Sequence, residues 1–235
     1  MDRAAVAKRS VESPAAQAKG ASYEYDPLGR RRAKIVTGVI NQTLRFASDN
    51  AEEIEERDGT NALLRKYVYG SGIDERIAML DSACAGGRCY YLTNWQGSTT
   101  TLINQTGSTL NATYHYGPYG EGTNWSPADA LTGNPFRYTG RRVDPETGLY
   151  YYRARYYSPK TGRFLQTDPI GTKDDLNLYA YVYNDPMLRT DPTGAVWDTF
   201  LDVADVLYNA GQVLGGTAAF VVAKVTGNEE LANVA

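Results

Sequence analysis

Tyr23-Glu-Tyr-Asp-Pro-Leu-Gly-Arg30 holds the pattern that decides the fold. Tyrosine alternates with glutamate, which puts both rings on one face of an extended chain. Asp-Pro-x-Gly then stops the strand. Proline presets φ for a turn, the aspartate caps its own backbone, and glycine takes the last position. The theme returns at Lys66-Tyr-Val-Tyr-Gly70, Tyr114-His-Tyr-Gly-Pro-Tyr-Gly120, Phe136-Arg-Tyr-Thr-Gly-Arg141 and Tyr150-Tyr-Tyr-Arg-Ala-Arg-Tyr-Tyr157. The spacing is irregular, so the repeat is degenerate. Strand-turn units that cannot bury a face alone must stack on one another.

Composition points the same way. The 235 residues include 19 Tyr, 23 Gly and 10 Pro against 5 Phe and 3 Met, which predicts a mainly β protein of short strands and tight turns. A net charge of -3 excludes a general basic footprint for nucleic acid. Arg30-Arg-Arg32 therefore reads as a solvated strand edge. Cys84 and Cys89 form one C-x4-C in a loop-like stretch, which fits two free thiols or a loop-closing disulfide. The only histidine is His115, too few partners for zinc, so no metal and no cofactor are expected. Residues 1–21 read as a flexible leader with no apolar core of a signal peptide. Asn41, Asn104 and Asn111 match the glycosylation pattern by chance in Asn/Thr-rich turns.

After Ala195 the periodicity changes. In Val196–Tyr208, Trp197, Phe200, Leu201, Ala204 and Leu207 or Tyr208 recur at helical spacing, with Asp198, Asp202 and Asp205 on another face. This predicts an amphipathic helix. Asn209, Gln212, Thr217 and Lys224 make the following stretch a poor membrane span, so helices packed on protein are expected.

At this boundary lie two further Asp-Pro-x-Gly units, Asp168-Pro-Ile-Gly171 and Asp191-Pro-Thr-Gly194. Between them runs the strand-like, tyrosine-rich Leu176-Asn-Leu-Tyr-Ala-Tyr-Val-Tyr183. One copy would mean only a turn, and two copies flanking a strand could bring two carboxylates to one place.

The run from Phe136 to Gly171, with Asn177-Leu-Tyr-Ala-Tyr181, Asp185-Pro186 and Asp191-Pro-Thr-Gly194, closely resembles the Rhs repeat-associated core of Rhs/YD-repeat proteins. Tyr90-Tyr-Leu-Thr-Asn-Trp-Gln-Gly-Ser-Thr-Thr100 looks like the repeat upstream of that core, and Tyr23–Arg30 looks like the YD repeat itself. The likeness covers roughly residues 22–195.

The resemblance implies a hollow shell made of a spiralling antiparallel sheet (22–135), a core plug (136–195) and the helical start of a variable effector region (196–235). It is the architecture of polymorphic Rhs toxins and of the C components of bacterial Tc toxin complexes. By the same resemblance the core is an intramolecular aspartic protease. Asp168 and Asp191 are its catalytic pair, Arg155 supports them, and the cut falls between Ala195 and Val196. The sequence departs from the family at Ala195, where a larger apolar residue is usual, and at Thr172-Lys-Asp-Asp175, which adds Asp174 and Asp175 near the pair.

Implied partners are the chain's own effector segment, further shell chain, a secretion-system spike or an immunity protein. A membrane partner is not expected. The expected location is bacterial: cytoplasmic before export, then secreted or delivered at the cell surface. Residues 22–195 alone leave open sheet edges, which predicts either a longer or multi-chain shell or a remnant cassette whose C-terminal forty residues pack against the sheet. The competing reading is a non-cleaving scaffold or carbohydrate-binding adhesin. On that reading the tyrosines would stack on sugars, whereas in a shell they line the interior. Asp144-Pro-Glu-Thr-Gly148 reads as a turn with no chemistry, and His115 as a strand residue without a catalytic role.

Overall fold

Alternating burial builds the structure strand by strand. The computed structural model describes residues 8–12, 20–38, 41–110, 113–126, 133–173, 176–195 and 198–199. Ten strands run in sequence order through one antiparallel sheet: β1 Lys8–Glu12, β2 Gly20–Tyr25, β3 Arg31–Thr37, β4 Gln42–Asp49, β5 Glu52–Asp58, β6 Leu63–Tyr69, β7 Arg76–Asp81, β8 Arg88–Thr93, β9 Thr99–Asn104 and β10 Thr109–Leu110. Along β2 the buried positions alternate as Ala21, Tyr23 and Tyr25, as the opening pattern requires. β1 lies inside the stretch expected to be a flexible leader. It pairs with β2, Lys8 opposite Glu24 and Glu12 opposite Gly20, because the open edge of β2 offers it a ladder of backbone donors and acceptors.

The register slips by one residue at Glu24/Tyr25, Ala47/Ser48, Glu56/Arg57, Val68/Tyr69 and Leu92/Thr93. An extra residue on one strand bends it and increases the local twist, so recurring slips coil the sheet. Four turns repeat one device. Asp26, Asp58, Asn94 and Asn104 each accept backbone N–H groups two and four residues on, at 2.8–3.0 Å. The residue three places on takes positive φ: Gly29 (78°), Asn61 (71°), Gly97 (75°) and Gly107 (79°). Cys84 and Cys89 are disulfide-bonded and join the β7–β8 connection to the core of Tyr67, Met79, Tyr91 and Leu102.

A second sheet follows: β11 Arg142–Asp144, β12 Leu149–Tyr152, β13 Arg155–Ser158 and β14 Arg163–Phe164. Both of its faces are covered. Tyr150, Tyr152, Tyr157 and Phe164 pack with Tyr138, Val143, Tyr181 and Val182 on one face. Tyr151 and Tyr156 pack with Tyr23 and Tyr25 of β2 on the other. The tyrosines are mostly buried against one another at edge-to-face or tilted ring distances such as 5.3 Å for Tyr152–Tyr157.

Buried charge sews this plug to the large sheet. Arg31 lies 2.7 Å and Lys34 3.1 Å from Asp144, and Arg142 meets Glu53 at 2.7 Å and Glu56 at 2.8 Å. Arg31 therefore departs from the expected solvated edge: it is fully buried, its guanidinium 4.3 Å from the Tyr151 ring. Asp144 departs from the expected plain turn for the same reason, since its carboxylate pairs with Arg31 and Lys34.

Two short strands close the description, β15 Arg189–Thr190 and β16 Asp198–Thr199, paired antiparallel. The helix expected over 196–208 lies outside the described residues except at Asp198–Thr199. Those two residues are extended, because their backbone pairs with β15. The run Leu176–Tyr183 is not a strand either. It is a series of turns with one bridge, Arg163 to Ala180. Val182, Tyr183 and Asn184 take positive φ (44°, 56° and 59°), which swings Tyr181 and Val182 into the plug core.

Candidate active site at the two late turns

Asp168 and Asp191 begin as turn caps of the kind seen at Asp26. Asp168 Oδ1 accepts the Ile170 N–H at 2.9 Å. Asp191 Oδ1 accepts N–H groups of Thr193 (3.2 Å), Gly194 (2.8 Å) and Ala195 (3.2 Å) and the Thr193 hydroxyl (3.2 Å). The second oxygen separates the three aspartates. Asp26 Oδ2 returns to Arg30, four residues away, at 2.7 Å. Asp168 Oδ2 and Asp191 Oδ2 both reach Arg155, at 2.8 Å from Nη1 and 3.3 Å from Nη2. One guanidinium thus spans both carboxylates, and all three side chains are almost wholly buried.

The β12–β13 hairpin positions this arginine. Its two-residue turn, Arg153-Ala154, grips the second Asp-Pro-x-Gly turn along its length. Arg153 Nη1 donates to Pro192 O (2.6 Å), Ala154 N–H to Thr193 O (3.3 Å), and Arg155 Nε to Gly194 O. Arg153, at φ 58°, is itself held by Asp74 at 2.8 Å and Glu52 at 3.1 Å. Gly194 sits at φ 71° with its Cα against the Tyr152 carbonyl, where a Cβ would overlap that oxygen. Arg155 Nη1 also reaches Leu178 O at 3.4 Å, the carbonyl that accepts the Asp168 N–H at 2.9 Å. Its guanidinium lies 3.7 Å from the Phe164 ring centre.

Burial pushes the Asp191 carboxyl above the ordinary carboxylate range, against the opposing pull of Arg155 and the Gly194 N–H. One cation facing two buried carboxylates is neutral only when one carboxyl keeps its proton, which is the state an acid–base pair needs. The geometry thus joins Asp168, Asp191 and Arg155 and leads directly into Ala195, whose N–H is bonded to Asp191. Val196, Asp174 and Asp175 lie outside the described residues. The sequence reading missed Arg153 and Tyr152 as the grip on this turn. Their signal was the two-residue hairpin loop inside Tyr150–Tyr157.

A coiled antiparallel wall of sequential hairpins, sealed by a tyrosine-packed plug, defines a β-shell protein. Comparison with known proteins agrees. No family model matches the chain. It is 34% identical over 198 residues to the tRNA nuclease WapA of Bacillus subtilis, a match covering 82% of this chain and 8% of WapA. It is 31% identical over 196 residues to the double-stranded DNA deaminase toxin A of Burkholderia cenocepacia, covering 73% of this chain and 14% of that protein. Among solved structures it resembles the TcdB2–TccC3–Cdc42 complex, with TM-score 0.61 and 28% identity over 75% of this chain and 9% of that one. The chain belongs to the Rhs/YD-repeat family and carries the family's repeat-associated core. It spans only 8% and 14% of the lengths of those two relatives.

Proposed function

We propose that this chain is the C-terminal part of an Rhs-type toxin shell that cuts itself between Ala195 and Val196 and so frees the segment that follows. One observation carries the reading: the Arg155 guanidinium bridges Asp168 and Asp191 at the turn that ends in Ala195. In the proposed reaction one carboxylate of the Asp168–Asp191 pair takes a proton from water, and the water oxygen adds to the Ala195 carbonyl carbon. The other, protonated member gives its proton to the Val196 nitrogen, the pair acting as a unit. The C–N bond breaks, leaving an Ala195 carboxylate and a Val196 amine. Arg155 holds Gly194 O and both acids, so the substrate is presented in cis at a very high effective concentration.

The relatives named for a tRNA nuclease and a DNA deaminase support a toxic activity borne by the rest of such a protein. One structural neighbour, TcdB2–TccC3, was solved without a hypervariable C-terminal region, which supports a variable segment after the core. Synthesis in a bacterial cytoplasm, export, and partnership with further shell chain, a secretion spike or an immunity protein belong to the same proposal. A second reading is a non-cleaving scaffold, and the saturated Asp191 Oδ1, which caps its own turn, is the observation that favours it.

Intact mass of freshly expressed protein separates the two. The wild type is expected to yield fragments 1–195 and 196–235, and Asp168→Asn and Asp191→Asn to stay whole. Asp26→Asn, which alters the same kind of turn away from Arg155, is expected to cut normally. A single uncut wild-type species at every pH sinks the protease reading in favour of the scaffold.

A further inference from the structure

The β12–β13 turn places an arginine where the backbone would favour glycine. Arg153 lies at φ 58°, at the first position of a two-residue hairpin loop. Such a conformation persists only where the surroundings over-determine it. Four bonds from the guanidinium do so. Nη1 donates to Pro192 O at 2.6 Å, in the second Asp-Pro-x-Gly turn. Nε donates to Ala51 O at 3.3 Å, and Nη2 to Glu52 Oε1 at 3.1 Å and to Asp74 Oδ1 at 2.8 Å.

The last three acceptors belong to the wall. Ala51 and Glu52 stand where β4 gives way to β5, and Asp74 lies in the β6–β7 connection, 79 residues from Arg153. These two hairpin ends are tied to each other, because the Asp74 N–H donates to Glu52 Oε1 at 3.3 Å. Asp74 Oδ2 pairs in turn with Arg141 of the plug. Pro192 directly follows Asp191, so a fixed Pro192 carbonyl fixes the residue that carries the carboxyl. Arg155 holds the same turn by Gly194 O and both acids. One hairpin thus clamps one turn with two arginines, the first answering to wall carboxylates and the second to the carboxylates of the site. The Arg142 tie has a different reach, its partners being Glu53, Glu56 and the Tyr67 hydroxyl, all in the wall.

We propose that Asp74 and Glu52 are positioning residues for the cut: through Arg153 they set the turn that carries Asp191, and the site is competent only while these two wall hairpins are closed on the plug. The inference deepens the protease reading and rests on it. Neither residue touches the reacting atoms. Each acts by holding the Arg153 guanidinium against Pro192 O, so a chain whose wall stands open at this point keeps Asp168, Asp191 and Arg155 but presents the scissile turn out of place.

Time courses of intact mass on the full chain test this. Asp74→Gly removes the carboxylate and suits the backbone, since Asp74 itself lies at φ 57°. It is expected to cut about tenfold or more slowly than the wild type. Glu52→Ala, at the other wall carboxylate, carries the same expectation should Asp74→Gly not fold. Formate added to the folded Asp74→Gly chain is expected to restore the rate, which a merely structural role would not allow. Glu56→Gln loosens wall from plug away from the turn, and is expected to cut at the wild-type rate wherever it stays folded. Cutting at the wild-type rate by both Asp74→Gly and Glu52→Ala overturns the positioning role and leaves the protease reading standing. Equal slowing by Asp74→Gly and Glu56→Gln, with no rescue by formate, also overturns it, since any loosening of the wall then suffices. A wild type that stays whole sinks the protease reading, and this role with it.

Discussion

Gly194 shows how much of the site depends on one missing side chain. Its positive φ and its closeness to the Tyr152 carbonyl leave no room for a methyl group. Gly194→Ala is expected to cost about 2 kcal/mol or more in denaturant unfolding and to abolish any cut, because the turn can no longer lie against Arg155. Unchanged stability would show that the turn is not pressed on the hairpin. Asp191 adds a pH dependence. Its folded pKa is raised by burial, so its proton is present at low pH and is lost as pH rises through that value. The rate of self-cleavage, followed by intact mass, is expected to fall on the alkaline side of that titration. Asp26, Asp168 and Asp191 look the same in sequence, and only the partner of the second oxygen tells a cap from a candidate acid. That partner, Arg155, lies 13 residues from one aspartate and 36 from the other, so no local pattern could reveal it.

At the scale of the element, β5 bears the charge that ties the sheet to the plug. Glu56 is held down to about 2: burial alone would raise it, but Arg142, Arg65 and the Tyr67 hydroxyl outweigh that. A depressed carboxyl contributes stability above its ordinary value of 4.5 and loses it as pH falls towards about 2. Glu56→Gln is therefore expected to lose about 3 kcal/mol at neutral pH, and the gap to the wild type to close through that acid window. Denaturant midpoints measured across pH check both limbs, and a constant gap would refute the assignment. The strands themselves were legible, because tyrosine alternation and Asp-Pro-x-Gly turns are local signals. Leu176–Tyr183 was misleading for the opposite reason. Its alternation mimics a strand, yet three consecutive positive-φ residues fold it into turns that serve the plug core. Likewise Arg31 reads as surface charge until Asp144, 113 residues away, closes over it.

Across the whole molecule, wall and plug meet through a tyrosine seam and a buried ion cluster. Asp144→Asn leaves Arg31 and Lys34 short of buried negative charge, and is expected to cost about 3–5 kcal/mol. Calorimetry should then show the plug melting ahead of the wall, and a single undisplaced transition would mean that the tyrosine seam suffices. The order of the large sheet has one more consequence. Every strand from β1 to β10 pairs only with its neighbours in the chain. The wall can therefore be laid down in the order in which residues emerge during synthesis, with no early strand waiting for a late one. The three charged side chains of the site come from positions 155, 168 and 191, and the last turn locks only when Arg153 and Arg155 receive it. Position in the chain thus acts as a clock, and the candidate site is assembled only after the wall is standing.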